Sequence, residues 1–272
     1  MRVLRRDQPG YPDSLNRLAD PPRRLHVVGD LPGGPAVAVV GSRRCTRYGA
    51  THARTMSRAI VGAGWTVVSG LARGIDTAAH LGALDGDGRT VAVLGCGVDI
   101  WYPASNRPLG ERILGQGAVV SEYELGTEPA PWRFPARNRI IVGLSDAVVV
   151  VEAAERSGAL ITARLAMEHG IDVFAVPGDL ERETSRGTNR LIADGAHPIV
   201  SPREVVEMLE RVLGPSAPAA GRSAEPMLRG PMFVHEVAAA MGITIGEASR
   251  RVSEWELAGL VRLDSGMVEP VN

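Results

Sequence analysis

An arginine-rich loop carries the first recognisable chemistry in the sequence. The segment Gly41–Gly49 follows a β-branched run, precedes an Ala-rich helical stretch and contains three arginines within five positions. Such a loop supplies free backbone N–H groups and guanidinium forks, both of which bind oxyanions. It fits neither the G-x-G-x-x-G pattern of nicotinamide cofactors nor the G-x-x-x-x-G-K-[ST] pattern of P-loops. The loop predicts a phosphate-binding site, and a solvated basic loop is the alternative.

A second cluster, Trp132–Arg139, alternates arginines with aromatic rings. Guanidinium groups hold phosphates while rings accept stacked bases, which is the combination that a single-stranded nucleic acid requires. Aromatic side chains are more often part of a core, so Trp132 and Phe134 do not decide the matter individually. Their combination with Arg137, Asn138 and Arg139 favours nucleic-acid binding.

Three further segments place small polar residues where a helix begins. Ser157–Gly158 follows the most hydrophobic predicted strand, so its N–H groups and the helix dipole suit an anion. Ser157 as a plain N-cap is the competing interpretation, and both can hold at once. Gly70–Asp76 has the same placement, with Asp76 either capping the helix or pairing with an arginine. Ser185–Asn189 opens another helix with similar donors.

Residue sets typical of catalysis or metal binding are not found in the sequence. His80 lies in an Ala-rich helical stretch, and His235–Glu236 lacks the second histidine of H-E-x-x-H. Cys45 and Cys96 have no partner at ligand spacing, and no G-x-S-x-G elbow occurs. We therefore expect a binding protein rather than an enzyme, with no cofactor and no metal.

The elements that must position these residues alternate between strands and helices. Ala-rich stretches with helical spacing, such as Gly49–Ala63, Ile75–Leu84 and Ala159–Glu168, separate the β-branched runs. This pattern predicts an α/β fold with a mostly parallel sheet covered on both faces by helices. The predicted strands are Val37–Val40, Thr66–Val68, Val91–Leu94, Ala118–Val120, Val148–Val151 and Val173–Val176.

Nearly every predicted strand runs into glycine or serine. In open parallel sheets ligands bind at the carboxyl ends of the strands, where small residues let them approach backbone amides. A single glycine is better explained as a turn former. Because the pattern recurs at five strand ends, we expect the binding site along that edge of the sheet.

Composition and charge exclude several classes of protein. The chain has 272 residues, of which 44% are hydrophobic and 22% charged, so it can bury a core and does not resemble a disordered protein. Its apolar runs, such as Ala147–Val151, are too short to span a bilayer. The N-terminus leads into Pro9–Gly10 rather than an apolar stretch, so we expect no signal peptide and a cytoplasmic protein.

The net charge is −1, and all thirty basic residues are arginine. A nearly neutral molecule is not attracted to a polyanion by its overall field, so any such partner must be held by a local patch. A bias of the genome explains the arginine usage without invoking function. Each cation is nevertheless a planar fork suited to phosphate oxygens and to stacking on bases.

The sequence predicts four segments. Residues 1–30 form an N-terminal strap, residues 31–213 the main α/β domain, and residues 214–230 a Pro/Ala/Ser-rich flexible linker. Residues 231–272 follow the order of a winged helix: a helix near Val234–Met241, a turn, a helix at Glu247–Leu257, and two short strands.

The motifs resemble those of the DNA-processing protein A (DprA/Smf) family, in the right order over most of residues 9–200. The matching segments are Gly41–Arg43, Gly70–Asp76, Gly95–Asp99 with Tyr102–Pro103, Phe134–Ile141, Ser157–Thr162 and Ala175–Gly178. The resemblance implies an extended Rossmann-like domain that dimerises, binds single-stranded DNA and delivers it to the RecA recombinase during natural transformation. Members commonly carry an N-terminal helical domain ahead of the Tyr11–Pro12 region. Only Met1–Gly10 precede it, so we expect that domain to be absent or removed from this chain.

The resemblance also implies a set of DNA-binding residues. Arg43 and Arg137 would be the principal phosphate contacts, and Arg73 belongs to the same set. The residues expected to line the same pocket are Gly41, Ser42, Phe134, Asn138, Arg139, Ser157, Gly158 and Thr162. The tail resembles the winged helix that many members carry.

Two other functions remain open at this point. Related Rossmann-like phosphoribohydrolases split nucleoside monophosphates on the equivalent face, and Glu122 or Glu152 could act as an acid or base. Their P-G-G-x-G-T stretch is replaced here by Ser157–Thr162. The tail could alternatively bind duplex DNA through its second helix. Arg250 and Arg251 favour this, whereas the glutamates of that segment oppose it.

Overall fold

The computed structural model describes residues 1–202, 204–214, 230–241, 244–257, 261–264 and 266–270. The chain divides into two compact units, Met1–Ala219 and Ala220–Asn272. Most of the predicted linker, residues 215–229, and part of the predicted turn, residues 242–243, lie outside the described residues. Within the described ranges, no helix is both long and apolar enough to cross a membrane.

The first unit is built on a nine-stranded sheet with the order β1-β2-β6-β5-β4-β3-β7-β8-β9. All six predicted strands are present, and the pairs from β6 to β9 are parallel. The predicted α/β class with a mostly parallel sheet is therefore confirmed. The strands are β1 (Arg2–Arg5), β2 (Arg24–Gly29), β3 (Ala36–Val40), β4 (Thr66–Ser69), β5 (Thr90–Val93), β6 (Ala118–Ser121), β7 (Ala147–Val150), β8 (Asp172–Ala175) and β9 (His197–Pro198).

Helices cover both faces of this sheet. On β3, Val37 and Val39 pack on one face with α1, α2 and α7, while Ala38 and Val40 pack on the other with α4 and α5. Burial on both faces explains why the strands are continuous β-branched runs. The helices are α1 (Arg47–Gly62), α2 (Ile75–Asp85), α3 (Arg107–Leu114), α4 (Arg133–Gly143), α5 (Gly158–Glu168), α6 (Glu183–Ala193) and α7 (Val205–Leu213).

Residues 1–30 contribute two strands that the sequence pattern does not predict. β2 pairs antiparallel with β6, and β1 pairs antiparallel with β2 at the edge of the sheet. Leu25 and Val27 are fully buried, but they sit in a short run flanked by prolines, arginines and glycine. Pairing with β6 on one side and β1 on the other makes this run a strand.

The order of strands locates a crevice. From β3 the chain builds outward through β4, β5 and β6, and then returns to place β7, β8 and β9 on the other side of β3. Loops at the carboxyl ends of β3 and β7 therefore lead to helices on opposite faces. Such a switch point leaves an opening where open α/β sheets bind ligands.

The second unit contains two helices and a three-stranded antiparallel sheet. Its elements are β10 (Met232–Phe233), α8 (Val234–Met241), α9 (Ile245–Leu257), β11 (Val261–Asp264) and β12 (Met267–Pro270), with sheet order β10-β12-β11. A small core that includes Val237, Ala248 and Val252 holds them together. The order of elements follows the predicted outline, and the assignment to the winged-helix class stays a prediction.

Candidate nucleic-acid interface

A cleft of about 590 Å³ opens at the carboxyl ends of β3, β4 and β7, beside α4. We call it the main cleft. It lies at the carboxyl edge of the sheet, as the strand-end glycines predict, and at the switch point that the strand order creates. Of the predicted site residues, all but Arg73 and Arg139 line it: Gly41, Ser42, Arg43, Phe134, Arg137, Asn138, Ser157, Gly158 and Thr162.

Backbone hydrogen bonds tie the loops of the main cleft together. Ser42 N donates to the carbonyl of Glu152 at 2.7 Å, and Ile75 N donates to the carbonyl of Ser42 at 3.2 Å. Gly74 makes this approach possible, because it has a φ of +79° and a Cβ there would lie 2.2 Å from the Ser42 oxygen. The loops after β3, β4 and β7 therefore form one connected wall.

The lining of the main cleft is strongly basic. Arg43, Arg44 and Arg156 are exposed, and Arg137 lies buried at the same site. Asp76 is the single carboxylate among the described residues that line the cleft. A nearly neutral chain thus concentrates positive charge where an anion can enter, which is the local patch that its overall charge requires.

Aromatic rings form one side of the main cleft. The rings of Tyr102 and Phe134 stack with centroids 5.1 Å apart and an interplanar angle of 27°. The guanidinium carbon of Arg43 lies 4.8 Å from the centroid of Phe134. Tyr102 is 44% exposed, so its ring offers area to an incoming planar group. The Arg43 guanidinium and the two rings are therefore adjacent. Binding of an unpaired base together with its phosphate requires such an arrangement.

The N-terminus of α5 forms the opposite wall. Ser157 Oγ accepts from Ala159 N at 3.3 Å, so Ser157 caps the helix as the competing interpretation proposed. Asn138 Nδ2 donates to the Gly158 carbonyl at 3.3 Å and so links α4 to this wall. Because the cap residue itself lines the cleft, the positive end of the helix dipole lies at the site.

Arg137 is an anchored rather than an exposed cation. It is 3% exposed, and its Nη1 donates to the carbonyls of Gly70, at 2.7 Å, and of Val93. A Cβ at Gly70 would lie 2.5 Å from both terminal nitrogens, so the glycine makes room for the guanidinium. Arg137 Nε has no partner among the described residues. The side chain that was expected to be a principal phosphate contact therefore lies at the bottom of the cleft.

Burial shifts the pKa values of Arg137 and Asp76, the two buried ionisable residues of the main cleft. It lowers the pKa of Arg137 to about 10, which leaves the guanidinium charged at neutral pH. Burial also raises the pKa of Asp76, and the positive charge of Arg137 opposes that shift. The Asp76 carboxylate accepts a hydrogen bond from Ala72 N at 3.3 Å, and the charge of Arg137 acts on it without a direct ion pair among the described residues.

Arg139 was predicted to line the pocket, and the structure places it elsewhere. Its two terminal nitrogens donate to the two carboxylate oxygens of Glu122, at 2.8 and 2.6 Å, and its Nε lies 3.5 Å from Asp20. It does not line the main cleft. Positions two apart on a helix face different directions, so Arg137 and Arg139 cannot share one wall. Arg139 instead joins α4 to the N-terminal segment.

Arg73 belongs to a neighbouring opening of about 520 Å³, which we call the side cleft. Arg43, Tyr102 and Phe134 line both openings. The predicted pocket set omits Tyr102, Arg44 and Arg156, although Arg44 is one of the three arginines of the loop predicted to bind phosphate. Their common signal is position, because each follows a predicted strand at the carboxyl edge.

Other titratable groups are held in structural roles. His80 is fully buried, its Nδ1 lies 2.7 Å from Thr90 Oγ1, and burial lowers its pKa to about 3. Burial raises the pKa of Cys96 to about 11. Glu152 accepts from Thr46 N at 2.8 Å and from Thr46 Oγ1 at 2.5 Å, which fixes the start of α1. Within the described ranges, no group of three or more His, Cys, Asp or Glu side chains could hold a metal ion.

Comparison with known proteins assigns the chain that carries this site to a family. A model of the family described as DNA recombination-mediator protein A matches residues 2–210. The chain belongs to this family. The match spans the sheet and every residue of both clefts, so the motif resemblance is confirmed over the whole site.

Relatives in this family share much of the sequence. Protein Smf of Synechocystis sp. is 35% identical, over 98% of this chain and 79% of that protein. DNA processing protein DprA of Streptococcus pneumoniae is 45% identical, over 74% of this chain and 71% of that protein. Both alignments agree with the family match.

Solved structures of the family share the fold. DprA of S. pneumoniae superposes with a TM-score of 0.72 at 42% identity, covering 76% of this chain and 73% of that one. DprA of Helicobacter pylori, described for its single-stranded DNA binding mode, superposes with a TM-score of 0.69 at 33% identity. It covers 78% of this chain and 96% of that one. The predicted Rossmann-like character of the sheet is thereby confirmed.

Proposed function

We propose that this protein binds single-stranded DNA in the main cleft and delivers it to the RecA recombinase during natural transformation. The observation that carries DNA binding is the Arg43 guanidinium over Phe134, itself stacked on Tyr102, at the side of a basic cleft. The single-stranded DNA binding described for the H. pylori relative supports the same assignment. Delivery to RecA, dimerisation through the sheet domain and a cytoplasmic location rest on the family resemblance and complete the proposal.

The division of labour in the cleft follows from the chemistry of its walls. Arg43, Arg44 and Arg156 neutralise phosphates, and the N-terminus of α5 adds backbone donors. The exposed ring of Tyr102, which stacks on Phe134, offers a face to bases, a contact that every base can make. Bases paired in a duplex do not expose those faces. The cleft therefore favours single strands and tolerates many sequences.

Binding without catalysis fits the surroundings of the two glutamates considered as acid or base. Glu122 holds Arg139 through both carboxylate oxygens, and Glu152 is 3% exposed with its carboxylate bound to Thr46. A general acid or base must reach the proton that it transfers. Neither side chain lines either cleft.

A salt titration tests the proposal on the full chain. With a fluorescent dT20 strand, we expect log Kd to rise with log salt with a slope of about 2, because each of three neutralised phosphates contributes roughly 0.7. A duplex of the same length should bind more weakly. A flat salt dependence, or tighter binding of the duplex, would contradict the proposed mechanism.

Replacing Tyr102 by alanine should weaken DNA binding by about 1 to 3 kcal/mol, the contribution of one stacked base. Tyr102→Phe keeps the ring and should bind like the parent. Fluorescence anisotropy gives the affinities, and circular dichroism checks that both variants fold, which the exposure of Tyr102 favours. Equal affinities for the alanine and phenylalanine variants would remove Tyr102 from the interface.

A further inference from the structure

The side cleft has the shape and walls of a nucleotide subsite. It lies between the loops that follow β4, β5 and β6 and adjoins the main cleft across Tyr102 and Phe134. A strand held in the main cleft can therefore reach it with an adjacent nucleotide. The inference drawn here rests on the proposed function and adds a base preference to it.

The walls of the side cleft are mainly ring surfaces. Trp101, Tyr102 and Phe134 line it together with Pro103 and Pro129. Trp101 is held firmly, because a Cβ at Gly110 would lie 2.0 Å from its ring. Flat apolar walls of this kind suit a planar base rather than a flexible side chain.

The rim of the side cleft is charged. Arg44 and Arg73 are exposed there, and Arg43 is shared with the main cleft. Guanidinium groups beside an apolar slot match the two halves of a nucleotide, its phosphate and its base. The chemistry thus points to a nucleotide of the bound strand as the occupant.

One acidic side chain distinguishes this subsite from a general stacking platform. Glu128 is the single carboxylate among the described residues that line the side cleft. Its backbone carbonyl accepts from Arg133 Nη1, which holds this segment in place. Within the described part of the chain, no hydrogen bond or ion pair occupies the carboxylate itself. An ionised carboxylate accepts hydrogen bonds and cannot donate them.

We propose that the side cleft holds one base of the strand and that Glu128 favours bases with an exocyclic amino group. Cytosine presents its N4 amino group as a donor to a carboxylate. Uracil has a carbonyl oxygen at the same position, which repels the carboxylate. The protein therefore discriminates among bases at this one nucleotide while stacking remains tolerant elsewhere.

Two homopolymeric strands whose bases differ only at C4 and N3 test the proposal. We expect the full chain to bind dC12 roughly fivefold more tightly than dU12, the lower end of the discrimination that a specific contact gives. In Glu128→Gln the ratio should fall to about one, because an amide can donate as well as accept. Fluorescence anisotropy at one fixed salt concentration gives both dissociation constants.

Glu155→Gln is the matched control. Glu155 is exposed, lies next to Arg156 and lines neither cleft, so its removal changes the net charge equally. It should keep the preference for dC12. Salt-dependent binding with equal affinities for the two strands in the parent, or a ratio unchanged in Glu128→Gln, would overturn the base preference and leave the proposed function intact. Binding of neither strand would instead overturn the proposed function, and the inference with it.

Discussion

Arg43→Ala should weaken binding of single-stranded DNA by about tenfold or more and flatten its salt dependence by about 0.7 in the log–log slope. The side chain is exposed, lines both clefts and stands over the Phe134 ring. Under the proposed function, its loss removes one phosphate contact and the cation over the Phe134 ring. Fluorescence anisotropy across a series of salt concentrations measures both effects.

Arg43→Lys separates charge from geometry. Lysine keeps the positive charge but not the planar fork that binds phosphate with two N–H groups and stacks on a ring. We expect its salt slope to equal that of the parent and its affinity to lie between those of the parent and the alanine variant. An affinity equal to the parent would show that charge alone accounts for the role of Arg43.

Arg89→Ala is the control for loss of one arginine. Arg89 is exposed and precedes β5, so it lies at the amino ends of the strands, away from both clefts. It should bind DNA like the parent. A similar loss of affinity in the Arg89 and Arg43 variants would mean that DNA is attracted by overall charge rather than held in the cleft.

Much of the architecture could be predicted because the strands are buried on both faces. A continuous run such as Val37–Val40 has no solvent-facing positions, so its β-branched composition identifies it directly. The location of the binding site at the carboxyl edge of the sheet follows from the alternation of strands and helices and from the small residues at the strand ends. The sequence pattern does not predict the strand β2, because its residues become a strand through pairing with β6, which lies far away in the sequence.

The sequence predicted which loops form the site, but it did not predict the direction of every side chain. Gly41, Ser42 and Arg43 sit on a strand-end loop, where direction follows from topology. Arg137 and Arg139 sit on α4, where direction depends on the rotation of the helix about its axis. The weak amphipathic pattern Arg133–Asn138 does not reveal that rotation. Burial of Arg137 and pairing of Arg139 with Glu122 follow only from the packed structure.

Replacing the buried Arg137 by methionine should destabilise the fold by about 3 to 5 kcal/mol, because two buried carbonyl acceptors lose their donor at about 1 to 3 kcal/mol each. The variant loses the hydrogen bonds to Gly70 and Val93 and leaves Asp76 without the cation that offsets its burial. Chemical denaturation measures the free energy of unfolding. A loss below about 1 kcal/mol would contradict the anchoring role.

The pH dependence of that loss identifies Asp76 as the group left behind. The pKa of Asp76 is raised in the folded state, so its contribution is fully present below the unfolded value of about 3.9 and is lost as pH rises through the folded value. Removing Arg137 raises the folded pKa of Asp76 further, so the variant should lose more stability relative to the parent at pH 8 than at a pH near the unfolded value of about 3.9. Asp76→Asn combined with Arg137→Met should abolish the difference. A loss that is the same at both pH values would show that Arg137 does not influence Asp76. In that case the folded-state pKa of Asp76 is unchanged in the variant, and the pH dependence of the unfolding free energy is unchanged with it.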